Sequence, residues 1–181
     1  MLKKLTLIFF IVGCSINQDK GFKKISPKHS NIDFSNTLIE NDSINILDNE
    51  FFYNGAGVAL ADFNKDSLLD VFFTGNQVDN KLFLNQGNFK FKDVSITSKI
   101  NKYNSLIWSS GINVIDINND DLLDIYVCNT LRKDSLLRKN LLYINQGIDS
   151  NGIPIFKEMG DLYGISDSTY SSHSQFFDYD N

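Results

Sequence analysis

The 181-residue chain is poor in several residue types, and each shortage excludes a class of protein. Two cysteines allow at most one disulfide, so the chain is not a disulfide-rich scaffold. The two histidines, His29 and His173, stand far apart and lack companion residues at zinc-ligand or catalytic spacing. The 17 basic residues face 22 acidic ones, which argues against a basic surface that binds nucleic acid. We therefore expect no nucleic-acid partner, no catalytic residues and no enzyme activity within this chain.

Long apolar runs are also scarce, and the clearest one lies at the N-terminus. Lys3 and Lys4 precede a short apolar core, Leu5–Val12, which is too short to span a bilayer comfortably and is typical of a signal peptide. Ile11-Val-Gly-Cys14 follows and resembles the bacterial lipobox, which implies lipidation of Cys14. Ser15 does not resemble an inner-membrane retention signal, so the resemblance implies an outer-membrane lipoprotein. An ordinary signal with a chance cysteine is the alternative.

Residues 1–14 are thus predicted to be the signal peptide and lipobox, and residues 15–31 a polar tether between the lipid and a domain. Removing Lys3 and Lys4 with the signal reduces the 17 basic side chains to 15, against 22 acidic ones, for a formal net charge of −7. Cys128 is then the one cysteine left besides the lipidated one, and its apolar strand favours burial over reactivity.

The chain does contain a repeated acidic loop. Oxygen-bearing side chains occupy positions 1, 3, 5 and 9 of two nine-residue segments, and a leucine at position 7 offers its backbone carbonyl. This pattern suits Ca²⁺, because alternate side chains of a tight loop turn inward and the carboxylates repel one another without a cation. Asp/Asn-rich turns that bind nothing are the alternative interpretation. The predicted ligands are Asp62, Asn64, Asp66, Leu68 and Asp70 in the first loop, and Asp116, Asn118, Asp120, Leu122 and Asp124 in the second.

The repeat extends beyond the loops. Matching segments lie on both sides of each loop, and a third copy begins at His173 and reaches Asp178 and Asp180, which we add to the predicted metal ligands. Each unit is predicted to have four strands, at roughly 57–61, 69–73, 81–84 and 89–94 in the first copy. Such periods predict an all-β fold of four-stranded antiparallel propeller blades, incomplete here with about two blades and the start of a third. The predicted repeats span about 57–94, 111–159 and 173–181, within a domain at 32–181.

These motifs resemble the FG-GAP or VCBS repeat β-propellers, especially the large lipoproteins of the Bacteroidota that often end in an ASPIC/UnbV module, which this chain lacks. The resemblance covers about residues 32–181. It implies a calcium-binding propeller that displays a surface for an extracellular protein or glycan. The family pattern usually has glycine at loop position 6, where this chain has Ser67 and Asp121. If that position needs positive φ, Asp tolerates it better than Ser, at a strain cost on the order of 1 kcal/mol.

Two functional classes remain open at this stage. The first is a non-catalytic, calcium-stabilised propeller on the outer membrane that serves binding or adhesion. The second is the N-terminal part of an exported enzyme that acts on polysaccharide, with its catalytic parts outside this chain. Trp108, just before Gly111, is most simply a blade-packing aromatic, and sugar stacking is its alternative role.

Overall fold

The computed structural model describes residues 21–100 and 106–180. The predicted signal peptide, Cys14, the first part of the predicted tether and Asn181 lie outside these residues. In the described part, no helix is long and apolar enough to cross a membrane. The elements are α1 (Pro27–Ser30), β1 (Val58–Ala61), β2 (Asp70–Phe73), β3 (Lys81–Asn85), β4 (Phe91–Asp93), β5 (Ser109–Ile115), β6 (Asp124–Asn129), a 3₁₀ turn (Ser135–Arg138), β7 (Leu141–Ile148), β8 (Pro154–Glu158) and α2 (Gly160–Tyr163).

The strands form two separate antiparallel sheets of four strands each, in the orders β1-β2-β3-β4 and β5-β6-β7-β8. This confirms the all-β prediction and the four-stranded unit. In both sheets the second and third strands are the most buried, which agrees with their apolar runs. Each sheet is therefore a simple meander in which consecutive strands pair.

The fourth strand starts two residues later than predicted. The alternation in Phe89-Lys-Phe-Lys predicts a strand from residue 89, but β4 begins at Phe91. Asn88 and Phe89 have φ of 51° and 56°, in the left-handed region, and Gly87 has a φ of 79°. The turn after β3 thus extends through Phe89, whose ring is exposed, and the strand boundary predicted from alternation is wrong.

The two sheets pack face to face around a shared apolar core. The connection after β4 also contacts the second sheet, because Ser98 O accepts from Phe156 N at 2.9 Å and Ile100 O from Tyr143 Oη at 3.0 Å. The two sheets are therefore successive layers of one array. The core includes Ala61, Phe63, Phe72, Leu82, Leu84 and Val94 from the first unit and Ile125, Val127, Leu141, Tyr143, Ile153 and Phe156 from the second.

The residue just before β1, Gly57, lies against β5 of the second sheet. A Cβ added to Gly57 would lie 2.7 Å from the carbonyl oxygen of Ser110, so only glycine permits this approach. The hydroxyl of Thr74 sits at the same junction, accepting from Gly57 N and donating to Ser110 O at 2.7 Å. The junction fixes the distance between the inner edges of successive blades.

The same junction recurs one repeat later. Gly111 corresponds to Gly57, and a Cβ added there would lie 2.5 Å from the carbonyl oxygen of Ser172. Asn113 Nδ2 donates to Ser174 O at 3.0 Å, and the ring of Phe176 packs edge-on against Tyr126 with centroids 5.3 Å apart. The predicted third copy therefore lies against the second blade as the second lies against the first. No strand is assigned to residues 171–176, since no partner strand follows within the described residues.

The N-terminal segment packs on the free side of the first blade. Phe34 stacks on Phe73 with ring centroids 4.7 Å apart, and His29 Nε2 lies 3.0 Å from the carbonyl oxygen of Asn88. Within the stretch predicted to be a tether, residues 15–31, the structure has the short helix α1 at Pro27–Ser30. Ser26 caps α1, which begins at Pro27, and Ser30 is buried. Proline at the first turn behind a serine cap is a helix-start signal that composition alone obscured.

Candidate metal loops

The two predicted ion loops share their main internal hydrogen bonds, and the first loop adds one from Asp66 N to Asn64 Oδ1 at 3.3 Å. At position 1, one carboxylate oxygen accepts from the N–H of position 5 at 3.1 Å, and the other accepts from position 6 at 2.8 Å, in both loops. The position-5 carboxylate accepts from the N–H of position 7, at 2.8 Å in the first loop and 2.9 Å in the second. The repeated sequence therefore folds into a repeated loop, in which the carboxylates at positions 1 and 5 accept from backbone N–H groups of the same turn.

The carboxylate at position 9 closes each loop onto its own sheet. Asp70 accepts from Phe63 N at 3.0 Å and from Asn85 N at 2.8 Å. Asp124 accepts likewise from Ile117 N at 3.1 Å and from Asn145 N at 2.8 Å. Both aspartates are 0% exposed, so position 9 is a structural anchor of the loop as well as a predicted ligand.

Two positions in each loop have left-handed backbone. Position 6 has a φ of 67° at Ser67 and 65° at Asp121. Both values are in the left-handed region, which glycine adopts more readily than serine or aspartate. Position 4 is left-handed too, with 60° at Lys65 and 58° at Asn119. Asn and Asp tolerate this region better than Lys and Ser, so the first loop carries more backbone strain than the second.

The acidic side chains of each loop interact electrostatically. The pKa of Asp70 is raised to about 6, chiefly by burial and in part by the nearby carboxylates of Asp66 and Asp62, which together outweigh the hydrogen bonds from Asn85 and Phe63. Burial likewise raises the pKa of Asp124, with a similar contribution from Asp120 and Asp116. Each loop thus holds a negative charge that a cation would relieve.

The donors suit Ca²⁺ in kind, because they are carboxylate, amide and backbone oxygens within one turn. In the described residues, however, no three His, Cys, Asp or Glu side chains converge closely enough to form a metal cluster. In both loops the amide at position 3 directs its Nδ2 at the position-5 carboxylate, at 3.0 Å for Asn64 and 2.8 Å for Asn118. The calcium assignment therefore depends on loop spacing and charge.

The third predicted loop is only partly described. Asp180 N donates to the carboxylate of Asp178 at 3.3 Å, and both side chains are exposed. Asn181 lies outside the described residues. Asp178 and Asp180 are thus next to each other, as position 1 and position 3 of a loop should be.

The sequence around Asn145 indicates a turn, and it does not reveal the contact of this residue with the first loop. Asn145 Nδ2 donates to the carbonyl oxygen of Phe63, at position 2 of that loop, at 3.0 Å. Asn64, at position 3, also lies beside the second blade, with its Nδ2 3.4 Å from the carbonyl oxygen of Gly152. The recurrence of asparagine at residues 85 and 145 was the available signal.

Two other residues weighed in the sequence have packing roles. Trp108 is 2% exposed and packs against Phe52 with ring centroids 5.2 Å apart, so its faces are not offered to a ligand. Cys128 is buried in β6, and burial raises the pKa of its thiol. Both observations confirm the packing interpretation over the functional one.

Taken with the repeated glycine junction, the sheets and loops define a β-propeller-type repeat unit. The sequence profile of the FG-GAP-like repeat matches residues 62–127, from position 1 of the first ion loop into β6. No curated protein matches the chain significantly. The match covers one complete loop-to-loop period, and it confirms the repeat family predicted from the sequence for that part of the chain.

Proposed function

We propose that the chain is part of a calcium-stabilised β-propeller that is anchored to the outer membrane by lipid on Cys14 and displays a binding surface to an extracellular protein or glycan. The observation that carries the proposal is the repeated acidic loop, whose spacing and charge take nearly the same conformation twice. Six equivalent hydrogen-bond distances agree within 0.2 Å between the two loops. Because the same acidic spacing gives nearly the same loop twice, the two loops should respond to a cation in the same way.

The metal would be architectural in this proposal. Its predicted ligands in each site come from one continuous nine-residue loop between two strands of one sheet, whereas a catalytic metal usually gathers ligands from separate segments around an open position. When bound, Ca²⁺ supplies positive charge among the loop carboxylates. The chain's residues supply the turn, the anchor at position 9 and the left-handed positions that shape it.

Calcium titration by calorimetry, with thermal unfolding in calcium and in chelator, tests the metal. Binding to the native state should add a few kcal/mol of stability at about a hundredfold excess over Kd. Asp66→Ala and Asp120→Ala should each remove one site, while Glu40→Ala, outside both loops, should remove none. Mg²⁺ should substitute poorly, because it requires a smaller octahedral site. An unchanged melting temperature in calcium, with no heat of binding, would refute the metal proposal.

The lipid anchor is tested independently. Cys14→Ser should abolish labelling by a fatty-acid analogue and release the protein from the membrane fraction. Cys128→Ser is the matched control, because that thiol is buried in β6 and should accept no lipid. Membrane retention of Cys14→Ser equal to that of wild type would contradict lipid anchoring without bearing on calcium.

A further inference from the structure

Both the nitrogen and the oxygen of the Asn145 side-chain amide form hydrogen bonds, and the residue is buried. Its Nδ2 donates to Phe63 O in the first blade at 3.0 Å and to Leu123 O in its own blade at 3.4 Å. Its Oδ1 accepts from Gly147 N at 3.0 Å. Asn145 is 1% exposed, so losing the donor would leave the Phe63 carbonyl without this partner in a buried place.

Asn85 occupies the same position in the first blade and provides an internal comparison. Its Nδ2 donates to Leu69 O at 2.9 Å, and its Oδ1 accepts from Gly87 N at 2.9 Å. Its backbone N–H donates to Asp70, as that of Asn145 does to Asp124. These three bonds stay within the first blade, and the side chain is only half-buried. The local role of the two asparagines is therefore shared, and the contact with another blade is what distinguishes Asn145.

The loop that Asn145 reaches is the one that most needs support. Residues 62–70 hold Lys65 and Ser67 in left-handed backbone, which neither residue type favours. The second blade also covers Asn64, which is half-buried, whereas Asn118 at the same position of the second loop is exposed. The first loop is thus strained by its own sequence and held from the neighbouring blade.

We propose that Asn145 is a positioning residue that holds the first ion loop in its binding conformation from the following blade. Metal binding at residues 62–70 then depends on the packing of the second blade. The metal part of this inference rests on the proposed function, whereas the positioning of the loop does not. This positioning role predicts an asymmetry between the two asparagines. Changes at Asn145 should affect the first loop, residues 62–70, whereas changes at Asn85 should not affect the second loop, residues 116–124.

Asn145→Asp tests this in the full chain with little change in size. The carboxylate keeps an acceptor for Gly147 N but places an oxygen against the carbonyls of Phe63 and Leu123. Hydrogen exchange in chelator should accelerate by roughly tenfold for the amides of residues 66–68, as expected for loss of one buried hydrogen bond. Asn85→Asp, the matched control, should leave exchange in residues 116–124 within twofold of wild type. Asn145→Ala removes the donor without adding charge, and it provides the same test of first-loop exchange if Asn145→Asp does not fold.

Calcium titration of the same variants gives the second readout. Asn145→Asp and Asn145→Ala should weaken the site at residues 62–70, identified as the one removed by Asp66→Ala, by roughly tenfold. Unchanged first-loop exchange in both Asn145 variants would overturn the positioning role, as would equal acceleration across the whole chain. If wild type binds no calcium, the metal proposal fails, while accelerated first-loop exchange in chelator still supports the positioning role.

Discussion

A single methyl group at Gly111 tests whether residues 171–176 occupy the place of the next blade's first strand. Gly111 lies outside the left-handed region, so alanine is compatible with its backbone. Its Cβ would lie 2.5 Å from Ser172 O and 3.0 Å from the Cα of His173. Both obstacles are backbone atoms, which cannot rotate away as a side chain can. The substitution must therefore move one segment away from the other.

Two opposing effects determine how much Gly111→Ala changes the free energy of unfolding. Overpacking a fitted contact costs about 1–3 kcal/mol. Replacing glycine by alanine also restricts the unfolded chain and stabilises the folded state by about 0.4–1 kcal/mol. Gly111→Ala should therefore reduce the free energy of unfolding by roughly 0.5–2 kcal/mol while residues 171–176 are in place. Without those residues only the second term remains, and the sign should reverse.

Urea unfolding in the full chain and in a chain ended at Tyr170 measures both conditions. Gly57→Ala is the matched control, because its obstacle is Ser110 O, at 2.7 Å, which both chains retain. Gly57→Ala should be destabilising in both chains, whereas Gly111→Ala should be destabilising only in the longer one. An equal cost of Gly111→Ala in the two chains would refute the repeated blade junction.

Two further predictions concern buried and paired carboxylates. Asp70→Ala leaves the N–H groups of Phe63 and Asn85 without this acceptor, which should lower the free energy of unfolding by about 1–3 kcal/mol for each group. Urea unfolding in chelator at pH 5 measures this loss of stability. An unchanged free energy of unfolding would contradict the anchor role of Asp70. Burial tends to raise the pKa of Asp93, but hydrogen bonds from Lys81 and Ser95 hold it below its usual value. Asp93 should therefore stabilise the fold above about pH 4 and lose this effect as the pH falls through its lowered pKa, so that wild type and Asp93→Asn converge in acid.

The repeat, the sheets and the loop boundaries could be predicted because they depend on local pattern. Apolar runs after each loop place β2 and β6 inside their blades, and the acidic spacing gives the loop that precedes each strand. Left-handed backbone at position 6 also followed from the family glycine. Left-handed backbone at position 4 could not be predicted in the same way. Lys65 has no preference for this conformation, and only Asn119 in the second loop is a residue type that favours it.

Contacts between blades could not be predicted from the sequence, because they join residues that are far apart in the chain. The bond from Asn145 to Phe63 spans 82 positions, and Asn145 reads locally as a turn residue. Helix α1 was missed for a different reason: Ser26-Pro27 lies in a polar stretch that composition assigns to a tether. Sequence pattern thus gave the repeated unit, and the structure gave the way in which one unit supports the next.

The strain in the first loop leads to the last prediction. Ser67 and Asp121 have nearly the same φ, 67° and 65°, but left-handed backbone costs about 1–2 kcal/mol for an ordinary residue and less for aspartate. Because glycine also frees the unfolded chain by about 0.4–1 kcal/mol, Ser67→Gly should gain roughly 0.5 kcal/mol net and Asp121→Gly should gain nothing. Lys65→Asn, which copies Asn119, should stabilise the fold without that entropic loss. Urea unfolding in chelator measures all three, and an equal gain from Asp121→Gly would show that the first loop is not the more strained of the two.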